Sequence, residues 1–260
     1  MGASPRVARL RSVARSVAVD WALELGPPFH ATHSYVTPAG PRAVLKIVPP
    51  DDEESDQEAA ALAFWNGDGA VRLLRHDPSR KALLLERALP GDDLSQLSEA
   101  EALTAAIETG RRLWREPATD APFRNVLDLS SHWLELVAPT EHEFVRYAQR
   151  ALEAIKLGRR TLVHGDFHHH NIVRHGAGWA AIDPKPALGE PEYDIAPFLW
   201  NPIVTEPTRK RTEDRLTAFA AAGLDRDRMR EWAIVRGTIL GLPVRAGRAR
   251  PQLRVVSLLL

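Results

Sequence analysis

The sequence has no cysteine, which removes disulfides and thiolate zinc sites together. It has no excess of charge of either sign, since 34 basic residues stand against 34 acidic ones. A balanced chain lacks the field that draws polymeric nucleic acid or anionic membrane, so neither is expected as a partner. No apolar run approaches the roughly 20 residues of a membrane-spanning helix; Val255 to Leu260 is apolar but far too short. There is no internal repeat, no low-complexity linker and no glycine-rich loop. Lysine is scarce, with only Lys46, Lys81, Lys156, Lys185 and Lys210, so each is worth placing.

Residues 1–19 carry arginines and no acid, as targeting peptides do. However, Val7, Leu10, Ala14 and Val17 recur at helical spacing, with no long apolar core or small-residue cleavage site after them. Position 6 is Arg where a myristoylation signal needs Ser or Thr. The segment reads as an amphipathic first helix, and the chain as soluble and cytoplasmic.

Residues 33–37 and 42–48 read as strands of a hairpin turned at Pro38-Ala39-Gly40-Pro41. An acidic run, 51–56, reads as a solvated loop that precedes a helix from about Gln57 to Asn66. Ala70–Leu74 and Ala82–Glu86 suit strands. Residues 98–116, 140–157 and 206–240 have helical patterns, and Thr161–Val163 and Trp179–Ile182 suit short strands. Residues 241–260, with Gly241, Pro243, Gly247 and Pro251, lack a helical pattern. A strand-rich third before a helix-rich remainder predicts an α+β protein of two lobes, 1–89 and 90–260, with the boundary near Pro90-Gly91.

The chemistry concentrates in Leu162–Val173 and Trp179–Pro184, which hold His164-Gly165-Asp166, Asn171 and Ile182-Asp183. A carboxylate at the end of an apolar strand points out of the core. Phosphoryl transfer from a nucleotide needs positioning and charge neutralisation more than covalent chemistry. Magnesium prefers carboxylate and amide oxygens, which Asp183 and Asn171 offer. A third carboxylate, Asp166, can orient an acceptor hydroxyl and take its proton. Lys46 lies in the apolar strand Val44-Leu45-Lys46-Ile47 and needs a partner if buried; Glu58 on the next helix can supply one.

His-Gly-Asp-x-x-x-x-Asn followed by Ile-Asp resembles the signature of aminoglycoside phosphotransferases and their kinase-like relatives. The closer similarity, over roughly residues 20 to 240, is to the streptomycin 6-phosphotransferase and hydroxyurea phosphotransferase family. Val44–Ile47, Gly69–Leu74, Leu83–Arg87, His164–Asn171 and Ala181–Pro184 carry it. The resemblance implies a bilobal protein-kinase-like fold with ATP and Mg2+ in the cleft. Asp166 would be catalytic, Lys46 and Glu58 would serve the nucleotide phosphates, and Asn171 and Asp183 would hold the metal. Leu85 to Ala88 would be the hinge, with Glu86 and Ala88 meeting adenine through their backbone. Asp194 would brace the catalytic loop through backbone amides, and His164 would support that loop as a core histidine. The implied acceptor is an aminoglycoside such as streptomycin, or hydroxyurea, and the result antibiotic inactivation by a monomer or homodimer. Two alternatives stand beside it: a kinase of an ordinary metabolite, and a catalytically weak nucleotide-binding regulatory protein.

Where relatives carry a glycine-rich loop, this chain has Pro28–Tyr35, so phosphate-binding amides are expected from a turn near Thr32–Ser34. His168-His169-His170 is read as loop positions and not a metal site, because three neighbours cannot easily face one ion. Glu190, Glu192 and Asp214 are read as surface acids, and the tryptophans at 65, 114, 133, 179, 200 and 232 as packing residues.

Overall fold

The computed structural model describes residues 5–31, 33–52, 57–203, 205–243 and 250–260. The part of the expected phosphate turn at Thr32, the acids at 53–56, and residues 244–249 of the C-terminal stretch lie outside the described residues.

The chain opens with α1 (Pro5–Trp21), β1 (Tyr35–Pro38), β2 (Ala43–Ile47), α2 (Glu58–Trp65), β3 (Leu73–Asp77), β4 (Ala82–Glu86) and β5 (Pro90–Asp93). Then come α3 (Glu99–Leu113), α4 (Val126–Val137), α5 (Glu143–Ala154), β6 (Thr161–Val163), β7 (Ile172–His175), β8 (Gly178–Ala181) and β9 (Ala187–Gly189). Four helices finish it: α6 (Glu192–Trp200), α7 (Arg209–Ala221), α8 (Arg226–Gly241) and α9 (Pro251–Leu259). This is the expected α+β composition, and it divides into two compact units.

The first unit holds Met1–Asp92 and Val173–Lys185. Its main sheet is antiparallel, ordered β1-β2-β4-β3, with Val36 opposite Lys46 and Lys46 opposite Leu83. The β1–β2 turn closes on Gly40, whose φ of 76° favours a residue without Cβ. Leu10, Ala14 and Val17 of α1 are buried with Leu45 and Ile47, as the helical spacing predicts, while Val7 stays exposed. The expected strand at 70–74 begins later. Ala70 instead makes an isolated parallel bridge to Ala181, and pairing with β4 starts at Leu73.

The second unit holds Asp93–Ile172 and Pro186–Leu260. Its core joins Val126, Leu134, Val137, Val145, Ala148, Val163, Tyr193, Trp232, Val235 and Ile239. Helix α3 starts at a capping box, in which Ser98 and Glu101 satisfy each other's backbone N–H groups. Helix α4 is absent from the sequence reading. The 206–240 pattern is two helices broken at Gly223, where φ is 103°.

Two expectations are corrected. The boundary at Pro90-Gly91 gives contiguous lobes, but Val173–Lys185 returns to the first unit. Pairing dictates this: β7 and β8 form a sheet with β5, and Ala181 hydrogen-bonds across to Gly69 and Val71. The C-terminal stretch does contain a helix, α9, and two of its supposed breakers, Gly241 and Pro251, serve it. Pro251 takes the first helical position, where its missing N–H has no intrahelical partner to lose. Gly237 and Gly241 on α8 let α9 approach closely; a Cβ at Gly237 would lie 2.7 Å from Val256 Cγ2 and 3.1 Å from the Gln252 carbonyl.

Candidate active site

Each unit carries its own group of candidate residues. In the second, β6 pairs with β9 and delivers the chain at Val163 into His164-Gly165-Asp166. Gly165 has a φ of 80°, which lets the backbone turn sharply there. Fully buried Asp194 accepts from the His164 N–H at 2.8 Å, the Gly165 N–H at 2.7 Å and Trp114 Nε1 at 2.9 Å. Phe167 is fully buried beside the rings of Trp114 and His164. Buried His164 accepts from the Asp166 N–H through Nδ1 at 3.3 Å. The expected core placement of His164 and the bracing contacts of Asp194 are thus present as geometry.

The Asp166 side chain retains 36% of its exposure. Asn171 Nδ2 donates to the Asp166 carbonyl at 2.9 Å and to Asp166 Oδ2 at 3.2 Å, and also lies 3.3 Å from His168 Nε2. Its own Oδ1 is then the atom suited to a hard cation. Burial pushes the Asp166 carboxyl up, but the hydrogen bond and charge of His168, with Arg236 and His164 adding to it, hold it below the usual carboxylate range. Asp166 is therefore ionised at neutral pH, as a proton acceptor must be.

The three histidines diverge. His168 Nε2 lies 3.5 Å from Asp166, His169 stacks on Phe198 at 4.0 Å, and His170 bonds Asp93 at 2.8 Å. No cluster of three His, Cys, Asp or Glu suited to a metal occurs among the described residues.

In the first unit, Lys46 is buried in the central strand β2. Its ammonium lies 2.8 and 2.7 Å from the two oxygens of fully buried Glu58 and 2.5 Å from Asp183 Oδ1. Burial alone would lower the lysine; the two carboxylates outweigh it and hold the ammonium above its ordinary range. Burial raises the Glu58 carboxyl against the pull of Lys46. One ammonium against two carboxylates leaves this trio with a net negative charge. Asp183 keeps 47% of its side-chain exposure and has a φ of 55°, a left-handed conformation uncommon for a residue with a Cβ. An exposed carboxylate in such a trio has the donor chemistry that magnesium takes.

At the expected hinge, the Glu86 N–H donates to the Arg72 carbonyl at 2.8 Å and the Arg87 N–H to the Arg42 carbonyl at 2.9 Å. An adenine bond from Glu86 would therefore use its carbonyl.

Glu190 and Glu192 are not surface acids. Glu190 is buried and accepts from Trp232 Nε1 at 2.8 Å; Glu192 is buried and accepts from the Asp225 N–H at 3.0 Å. Both are occupied in holding α8. Asp214 is exposed, as expected. The sequence reading passed over Arg236, and gave Trp114 a packing role without its bond to Asp194. Arg236 had a signal: it interrupts Trp232-Ala233-Ile234-Val235 and Gly237-Thr238-Ile239, a helical stretch with no polar face.

The chain is similar to known proteins in sequence and in fold. Residues 24–246 match the family model described as aminoglycoside/hydroxyurea antibiotic resistance kinase. A hydroxyurea phosphotransferase of Kitasatospora aureofaciens is 35% identical over 237 residues, 83% of this chain and 67% of the relative. A streptomycin 6-kinase of Streptomyces glaucescens is 32% identical over 216 residues, 76% of this chain and 69% of the relative. Among solved structures, a choline/ethanolamine kinase family protein from Mesorhizobium loti superposes with a TM-score of 0.69 at 17% identity, covering 96% of this chain and 93% of its own. That likeness shows the protein-kinase-like fold.

Proposed function

The chain belongs to the aminoglycoside/hydroxyurea antibiotic resistance kinase family, and from that premise we propose that it transfers the γ-phosphoryl group of ATP to a hydroxyl of streptomycin or hydroxyurea, with Asp166 as the base. The observation that carries this reading is the Asp166 carboxylate: partly exposed, ionised, and fixed by Asn171. In the reaction the bond from the γ-phosphorus to its bridging oxygen breaks and a bond to the acceptor oxygen forms. The acceptor proton passes to an Asp166 oxygen as charge builds on that hydroxyl. ADP leaves with the bridging oxygen.

Lys46 is proposed to bind nucleotide phosphate, with Glu58 holding its ammonium in place. Asn171 and Asp183 would hold magnesium, which supplies neutralisation of phosphate charge when bound. The Glu86 carbonyl and the Ala88 N–H are proposed to bind adenine. Asp194 and His164 are proposed to position the loop, a role supported by their bonds to its backbone N–H groups.

Release of ADP from ATP and magnesium, measured with streptomycin, other aminoglycosides, hydroxyurea and simple metabolites, tests the reading. Stimulation by streptomycin or hydroxyurea is expected, reduced about 10²–10⁴-fold in Asp166→Ala. Stimulation only by an ordinary metabolite would reassign the acceptor. ATP binding with no turnover on any acceptor would overturn the catalytic reading.

A further inference from the structure

Arg236 sits in the middle of α8 and is only 8% exposed, an expensive place for a charge unless its donors are used. Its Nη2 donates to the Gly165 carbonyl at 2.5 Å and its Nη1 to the Tyr193 carbonyl at 3.2 Å. The guanidinium also lies over the Tyr193 ring, 4.2 Å from its centroid. Gly165 is thus held from both sides: its N–H by Asp194 of α6, its carbonyl by Arg236 of α8.

The held atom matters. The Gly165 carbonyl belongs to the same peptide group as the Asp166 N–H, so its position sets where the Asp166 side chain starts. Gly165, lacking a Cβ and sitting at a positive φ, is intrinsically the least restrained residue of the loop. The restraint that glycine does not provide must come from its partners. A planar fork can reach two carbonyls and stack at once, which an ammonium cannot.

We infer that Arg236 is a positioning residue for phosphotransfer, fixing the Asp166 carboxylate through the Gly165 carbonyl. This rests on Asp166 being the base proposed above. In Arg236→Lys the charge remains but the fork is lost. The expected result is a kcat about 10- to 100-fold lower with KM for ATP nearly unchanged, because displacement of a catalytic group costs rate and not nucleotide affinity. In Arg236→Ala, millimolar guanidinium ion should recover part of that rate by refilling the vacated site. Amide hydrogen exchange at Gly165 and Asp166 should accelerate in both variants.

Wild-type kcat in folded Arg236→Lys would overturn the inference, and so would a lowered melting temperature with kcat and local exchange unmoved. Should Arg236→Ala not fold, Arg236→Lys decides alone. Exchange needs no turnover, so the two readings separate. Faster exchange in a protein that transfers no phosphate to any acceptor would sink the kinase reading, and the positioning role with it, while leaving the contact intact.

Discussion

Replacing both members of the buried pair, as Lys46→Met/Glu58→Leu, should yield a protein nearly as stable as the wild type and without activity. Each single change leaves an uncompensated group. In Lys46→Met, fully buried Glu58 loses its two bonds of 2.7 and 2.8 Å and still faces Asp183. Breaking a buried pair costs about 3–5 kcal/mol, and protonation of Glu58 places this variant near about 3 kcal/mol. In Glu58→Leu, Lys46 keeps Asp183 at 2.5 Å, which limits the loss to about 2 kcal/mol. In the double variant both charges are gone, the volumes are similar, and Asp183 retains water contact. Its deficit should be about 1 kcal/mol, giving a coupling of about 4 kcal/mol. Urea unfolding of the four proteins at pH 7 measures it, with buried Trp65 on the same helix as Glu58 as reporter. The Lys46→Met deficit should also shrink on acidification. Its Glu58 has a folded-state pKa above the unfolded one, so stability is fullest at low pH and falls as pH rises through the folded value. A double variant as unstable as the sum of the singles would refute the reasoning.

Asp194→Asn should cost about 3–5 kcal/mol in denaturant unfolding, because one of three N–H donors would then face an amide NH2 group; a loss under about 1 kcal/mol would contradict the bracing role. Gly237→Ala, which in an exposed helix gains about 1 kcal/mol, should instead destabilise by about 1–2 kcal/mol, since the Gln252 carbonyl 3.1 Å from the new Cβ cannot rotate away. A raised melting temperature would refute the close α8–α9 contact. His169, with burial and then Arg215 depressing its pKa to about 2, stays neutral in the fold while the unfolded chain takes a proton near pH 6.5. Stability should therefore fall below pH 6.5, by about 2 kcal/mol at pH 5, and His169→Leu should flatten that dependence; an unchanged acid limb would count against it.

The candidate site was more legible than the elements around it. Lys46 is conspicuous because a charge inside Val44-Leu45-Lys46-Ile47 contradicts its neighbours, and the structure supplies Glu58 at hydrogen-bond distance. Residues 161–163 and 82–86 coincide with strands because short apolar runs bounded by polar residues leave little choice. Helix α4 escaped because Trp133 and Leu136 point outward while Ser130 is buried, which blurs its period. Helix α9 escaped because glycine and proline signal interruption locally, whereas Gly237 and Gly241 answer a neighbour distant in sequence. Glu190 and Glu192 look like ordinary surface charges in a chain that is 26% charged. Only tertiary partners reveal that they are interior.

The return of residues 173–185 to the first unit has a consequence for how the protein is made. Lys46 and Asp183 are 137 residues apart. At about 5–20 residues per second, synthesis leaves roughly 7–27 s between their appearance. Throughout that interval the nascent chain holds a sheet whose central lysine lacks one carboxylate, and β5 lacks its partner strands. The amino-terminal 92 residues therefore cannot reach their finished state on the ribosome ahead of the rest. A frameshift or stop anywhere before residue 185 leaves the first unit unfinished as well as the second, so truncated products should be less stable than the complete first unit.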